Sequence, residues 1–362
     1  MPETHSHAIR SLVGAGIALF LLAAGAVALS AGSAEAKACP ASVYQQLRSP
    51  PGAKASPVEV SCDVTLDPKD VIARPIAFSG AKASGITFDC RGGTLGTPDM
   101  PISHRRPTVM IRSLQARDGS WSVPKAITVK NCTVIGNMRL AGLGLNGQAE
   151  QVRRSSLTSG HTARAQAAAP TAIILDNLDV VAQGTLPLYL GPGVTGVTVS
   201  GSRFRGETTA TALYLDAESA ENRIIGNRFA VKTTRREQVA VDGSARNLIS
   251  GNVFEGAVNG GIFLYRNAGE GGTIRHQPPQ YNRIEGNRFH YEGMVRPRPA
   301  IWLNQRNGRT THRLSAPDLP LGSSLDPRDL AKYNVVRGNR ISGGWKGLIR
   351  NTDPSNEIVG ND

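Results

Sequence analysis

Aromatic residues are scarce: Phe, Trp and Tyr together make up 5% of the 362 residues. So few rings leave little surface for stacking bases, and nucleic acid is therefore not expected as a partner. Cysteine is rarer still. Its four copies, Cys39, Cys62, Cys90 and Cys132, show no Cys-x-x-Cys spacing, which argues against a zinc or dithiol redox centre. Apolar residues do not recur at helical spacing in the body of the chain, which excludes a helical repeat. Beyond the N-terminal region, no apolar run approaches the length of a membrane span.

The N-terminal region is different. His5, His7 and Arg10 precede an apolar run from Leu12 to Leu29, followed by Ser33-Ala34-Glu35-Ala36. Small residues at 34 and 36 fit a cleavage site, so residues 1–36 read as a signal peptide. The mature chain is then periplasmic or secreted, with no stable membrane insertion after cleavage. The full chain carries +13, and the leader holds Arg10 against Glu3 and Glu35, which leaves +14 on the remainder. A basic exported protein suits an acidic polysaccharide. Export also permits disulfides. Cys39 and Cys62 are the expected pair, tying the N-terminal segment to the first strands. Cys90 and Cys132 lie in the similar contexts ITFDC and ITVKNC, where they either bond or stack on neighbouring rungs.

Residues 37–57 read as a cap, with a short helix in CPASVYQQLRS ended by Pro50 and Pro51. From Val58 to the end, short runs of alternating β-branched residues are punctuated by Gly, Asn and Asp. GITFDCRGGTLG (85–96) and AITVKNCTVIGN (126–137) look like corresponding rungs. NRIIGNRF begins at Asn222, and NLISGNVF, NRIEGNRF, NVVRGNRI and NEIVGND begin at Asn247, Asn282, Asn334 and Asn356. The Gly-Asn pairs recur at steps of 25, 35, 52 and 22 residues. This is a coil of three short strands with loop insertions, stacked so that neighbours bury one continuous core. The repeated asparagines suit tight bends and side-chain amides bonded from rung to rung.

These Asn-x-Ile-x-Gly-Asn-x-Phe copies resemble the right-handed parallel β-helix proteins of the pectate lyase-like clan. The resemblance implies an all-β, single-stranded parallel β-helix over 58–362, with an N-terminal cap and long loop insertions. The clan includes lyases, hydrolases, uronan epimerases, phage tail parts and adhesins, so the fold alone does not select an activity.

Aligning the strands ALYLD, VAVD, IFLY, AIWLN and GLIR places Asp216, Asp242, Tyr265, Asn304 and Arg350 in one polar column. Two carboxylates one strand spacing apart need a shared proton, a cation or an arginine between them, with Arg236 and Arg266 as candidates. Ca²⁺ is the cation that the pectate-lyase branch implies, held by Asp216 and Asp242. The same pair also fits a glycoside hydrolase. The loop after Tyr265 adds Arg266, Asn267, Glu270, Arg275, His276 and Gln277. Proton abstraction beside a uronate carboxylate, by a lyase or C5-epimerase, needs a carboxylate neutraliser, a base and an acid. Tyr265, Arg266, His276, Asp216 and Asp242 are the expected catalytic residues. Arg275, Glu270, Asn267, Gln277, Asn304, Arg306 and Trp302 are the expected substrate contacts. A non-catalytic glycan-binding or envelope-assembly protein is the reading from another class. Long insertions at 138–170 and 305–332 carry further charge, including Arg153, His161, His312 and Asp326.

Overall fold

The computed structural model describes residues 37–50, 56–144, 146–147, 149–291, 293, 296–309 and 319–362. The expected signal peptide, part of the cap, and His312 lie outside the described residues. Three parallel sheets of ten, ten and nine strands run the length of the coil, each strand pairing with its counterpart one rung away. The chain is thus a parallel β-helix, right-handed as parallel crossovers are.

The repeat supplies the register. Ile224, Ile249, Ile284, Val336 and Ile358 are successive partners in the second sheet. Thr87 and Thr128 pair likewise, so the segments at 85–96 and 126–137 are neighbouring rungs. In the third sheet Phe204, Phe229, Phe254 and Phe289 stack inside the coil, with ring centroids 4.9, 4.9 and 4.6 Å apart. The alternation of a strand then turns every adjacent residue outward.

Between these two sheets the chain bends at Gly226, Gly251, Gly286, Gly338 and Gly360, whose φ values lie between +59° and +66°. That left-handed backbone is why glycine recurs there. Each following asparagine turns inward and bonds to the next. Asn227 Nδ2 donates to Asn252 Oδ1 at 3.0 Å, Asn252 to Asn287 at 2.9 Å, and Asn287 to Asn339 at 2.9 Å. A second ladder joins Asn222, Asn247, Asn282, Asn334 and Asn356. Buried amides are thereby satisfied from rung to rung, as the low-dielectric interior requires.

Helix α1, Ala41–Arg48, closes the N-terminal end, with Leu47 buried in the core. Disulfides join Cys39 to Cys62 and Cys90 to Cys132. Among the described residues no helix is long and apolar enough to cross a membrane.

Candidate functional site

The first sheet carries the site on its outer face. Arg139, Tyr189, Tyr214, Ala240, Phe263, Trp302 and Arg350 are successive partners there. Two residues further along each strand lies the column with Asp216, Asp242 and Tyr265. Leu215 pairs with Val241, and Asp242 pairs directly with Tyr265. The end of that column corrects the sequence alignment. Arg350 faces Trp302, because the last strand pairs Ile301 with Ile349.

Two insertions wall this face. One carries helices α2, Glu150–Ser156, and α3, His161–Ala167. The other is the loop after Tyr265. Buried Glu218 joins them: its carboxylate accepts His276 N at 2.8 Å, Gln277 N at 3.1 Å and Thr162 Oγ1 at 2.5 Å. Ser156 adds a second tie, its Oγ accepting Ile274 N at 3.0 Å.

Between the walls lies a cleft of about 350 Å³, lined among others by Arg139, Tyr189, Tyr214, Asp216, Arg236 and Arg275. His104 and Asn146 connect it to a larger cleft of about 730 Å³ beside Trp121. At its floor, Arg275 Nη1 lies 3.7 Å from Asp216 Oδ1, and Arg275 Nη2 lies 3.6 Å from Glu270 Oε2. Tyr189 donates its hydroxyl to Asp216 Oδ2. Burial pushes the Asp216 carboxyl up to about 6, Arg275 draws it back down, and the charge on Asp242 adds to the rise. Asp242 is held differently. It accepts Tyr214 Oη at 2.8 Å, Asn267 Nδ2 at 2.7 Å and Asn267 N at 2.8 Å. Burial holds the phenols of Tyr189, Tyr214 and Tyr265 protonated, well above their ordinary range.

Three buried polar atoms in this cleft lack a hydrogen-bond partner among the described residues: Arg139 Nε, Arg275 Nη1 and Asn267 Oδ1. Arg139 is 7% exposed and lies over the Tyr189 ring, 4.8 Å from its centroid. Arg306 lies 4.4 Å over the Tyr265 ring at the far side. Arg139 Nε and Arg275 Nη1 are donors, and Asn267 Oδ1 is an acceptor.

The expected site therefore divides. Asp216, Arg275, Glu270, Asn267 and Arg306 line the cleft, and Asp242 supports it through Tyr214 and Asn267. Tyr265 lies beneath, its hydroxyl donating to Glu237 at 2.8 Å and accepting from Arg236 at 2.6 Å. Arg266 turns away, because the carbonyls of Asp326 and Arg328 capture its guanidinium. His276 bonds Ser156 O at 2.7 Å and packs against the buried His161, which desolvation beside His276 pulls down to about 3. Gln277 spans the carbonyls of Ser219 and Gly243. Asn304 exchanges bonds with the Ala331 backbone, and Trp302 packs on Phe263 beneath Arg350. Neither expected arginine compensates the carboxylates. Arg236 serves Glu237 and Tyr265, and Arg275 takes the position beside Asp216.

Sequence reasoning missed Arg139, Tyr189 and Tyr214. Read two residues earlier, the rung alignment contains Tyr214; Arg139 and Tyr189 lie on the two preceding rungs, which it did not include. The oxygens of Asp242 are taken by donors, and Arg275 sets a positive charge against Asp216. That environment is a poor one for Ca²⁺, and no group of three or more His, Cys, Asp or Glu suited to a metal occurs among the described residues.

No family model and no curated protein matches the chain. Among solved structures it is similar to the alginate lyase from Paenibacillus sp. str. FPU-7, at 9% identity and TM-score 0.38, over 80% of this chain and 92% of that one. It is similar to the endo-xylogalacturonan hydrolase from Aspergillus tubingensis, at 9% identity and TM-score 0.47, over 83% and 85%. PfbA, a surface adhesin of Streptococcus pneumoniae, aligns at 12% identity and TM-score 0.40, over 83% and 58%. The fold assignment rests on the strand register described above.

Proposed function

We propose that this is an exported, carbohydrate-active protein that takes an acidic polysaccharide into the cleft and moves a proton at Asp216. The carrying observation is that Arg139 and Arg275, which both line one polar cleft, each keep a buried guanidinium nitrogen without a hydrogen-bond partner among the described residues. A uronate carboxylate offers the acceptors they lack. Its neutralisation by arginine acidifies the adjacent C–H, and a carboxylate with its pKa near 6 is matched to removing that proton. The phenols of Tyr189 and Tyr214 give their hydroxyl hydrogens to Asp216 and Asp242 and so hold the two carboxylates in place. A lyase and a C5-epimerase share this first step and differ in where a proton is next delivered.

One observation favours a hydrolase as the second reading. Asp216 and Asp242 are buried carboxylates one strand apart in the same outer column, and a pair of carboxylates is what glycoside hydrolysis uses. The test is incubation of the mature protein with a panel of uronans. Unsaturated ends absorbing in the ultraviolet identify a lyase, an altered C5 configuration by NMR identifies an epimerase, and new saturated reducing ends identify a hydrolase. Binding without any of these leaves a glycan-binding protein, and no binding to any uronan overturns the reading.

A further inference from the structure

A second basic surface lies on a different sheet from the cleft. In the third sheet Arg203, Arg228, Val253, Arg288 and Arg340 are successive strand partners. Each immediately precedes an inward residue, Phe204, Phe229, Phe254, Phe289 or Ile341. The stacked Phe rings hold the strand phase, so the four arginines point outward in single file, all exposed. Five strands at about 4.8 Å spacing give the file a length of roughly 19 Å.

The charges in this file are poorly compensated. Arg228 has Glu255 at 2.6 Å. Among the described residues, no carboxylate forms an ion pair with Arg203, Arg288 or Arg340. Asp179, the strand partner of Arg203, is bonded to Arg205 at 2.8 Å. Arg203 faces Arg228 directly, and Arg288 faces Arg340 directly. Like charges directly opposite across strands are destabilising. The same outer position holds valine at Val253, so the fold itself does not require arginine there.

We propose that this file is a binding surface for a linear polyanion, an acidic polysaccharide chain lying along the coil axis outside the cleft. The partner's form follows from the surface. The file is one residue wide, and the next outward column, Arg205, Ala230, Glu255, His290 and Ser342, mixes charge and neutral groups. A narrow line of positive charge complements a chain, whereas a membrane rewards a broad basic cluster. This inference does not depend on chemistry in the cleft.

The test compares Arg203→Glu/Arg288→Glu/Arg340→Glu with a control of equal charge change at other exposed positions, Lys69→Glu/Lys82→Glu/Lys125→Glu. Binding to immobilised polygalacturonate is measured across a salt series, beside turnover or binding of a short oligouronate as the readout for the cleft. The file variant is expected to bind the polymer at least about tenfold more weakly at low salt, with a shallower salt dependence. The control is expected to hold polymer binding, and both variants are expected to keep the oligouronate response. Unchanged polymer binding in the file variant overturns the proposal, as does an equal loss in the control. Recruitment to phosphatidylglycerol vesicles in place of the polymer also overturns it. Should charge reversal lower the melting temperature, the Gln triple at the same positions carries the same comparison. Loss of the oligouronate response in wild type, with polymer binding intact, overturns the cleft reading alone.

Discussion

Arg275 Nη1 lies 3.7 Å from Asp216 Oδ1, and both side chains are almost wholly buried. Each charge loses its hydration at this depth, and removing one partner leaves the other buried and under-compensated, with Tyr189 on Asp216 and Glu270 beside Arg275 as the remaining partners. Arg275→Met is expected to destabilise the protein by about 3–5 kcal/mol where Asp216 is ionised. Denaturant melts at pH 8 and pH 5 check this. The loss is expected to shrink at pH 5, where Asp216 can hold a proton. Equal losses at both values would mean that the pair does not carry the effect.

Asp216 should also govern the response to pH. Its folded pKa is raised to about 6, so ionisation opposes folding, and its contribution to stability falls as pH rises through that value. Asp216→Asn is expected to remove this fall from the stability profile. If Asp216 accepts the proton, kcat/KM for a uronan rises through about pH 6 in wild type. A profile of Asp216→Asn that kept the same rise would assign it to another group.

Arg139 has no carboxylate ion pair among the described residues, so its removal costs the fold little beyond its contact with Tyr189. Arg139→Met is expected to lower stability by about 1 kcal/mol, the order of one cation–π contact. Loss of a charge-assisted bond to a uronate is expected to weaken binding roughly tenfold or more. Calorimetric titration with oligouronates separates the two effects. A large fall in melting temperature with unchanged affinity would make Arg139 structural.

Glu218 ties the insertion with α2 and α3 to the loop after Tyr265. Glu218→Ala strips acceptors from buried backbone N–H groups, at about 1–3 kcal/mol. Amide exchange at residues 274–277 is expected to accelerate while exchange in the Asn ladders holds. Uniform acceleration across the coil would show that Glu218 supports the whole fold.

Much of the fold was legible in the repeat. A period-two alternation and asparagines at equivalent positions specify strand, bend and register together, because a one-residue slip would expose Phe229 and bury Arg228. The same logic placed Asp216, Asp242 and Tyr265 on one face, and it failed at Arg350, where the final strand is short and lacks the preceding pattern.

Insertions obey no such period. Arg266 and Arg275 lie in one loop, and nothing in their spacing distinguishes which will face Asp216. The choice is made by residues far away in the chain. The carbonyls of Asp326 and Arg328 capture Arg266, and Ser156, Glu218 and Ser323 pin the loop so that Arg275 turns inward. The sequence by itself determined the coil, its register and the outward-facing columns, because local alternation and stacking of like residues are encoded within each rung. Only the tertiary structure decided which arginine meets which carboxylate, because a long side chain on an irregular loop goes where distant backbone acceptors leave it.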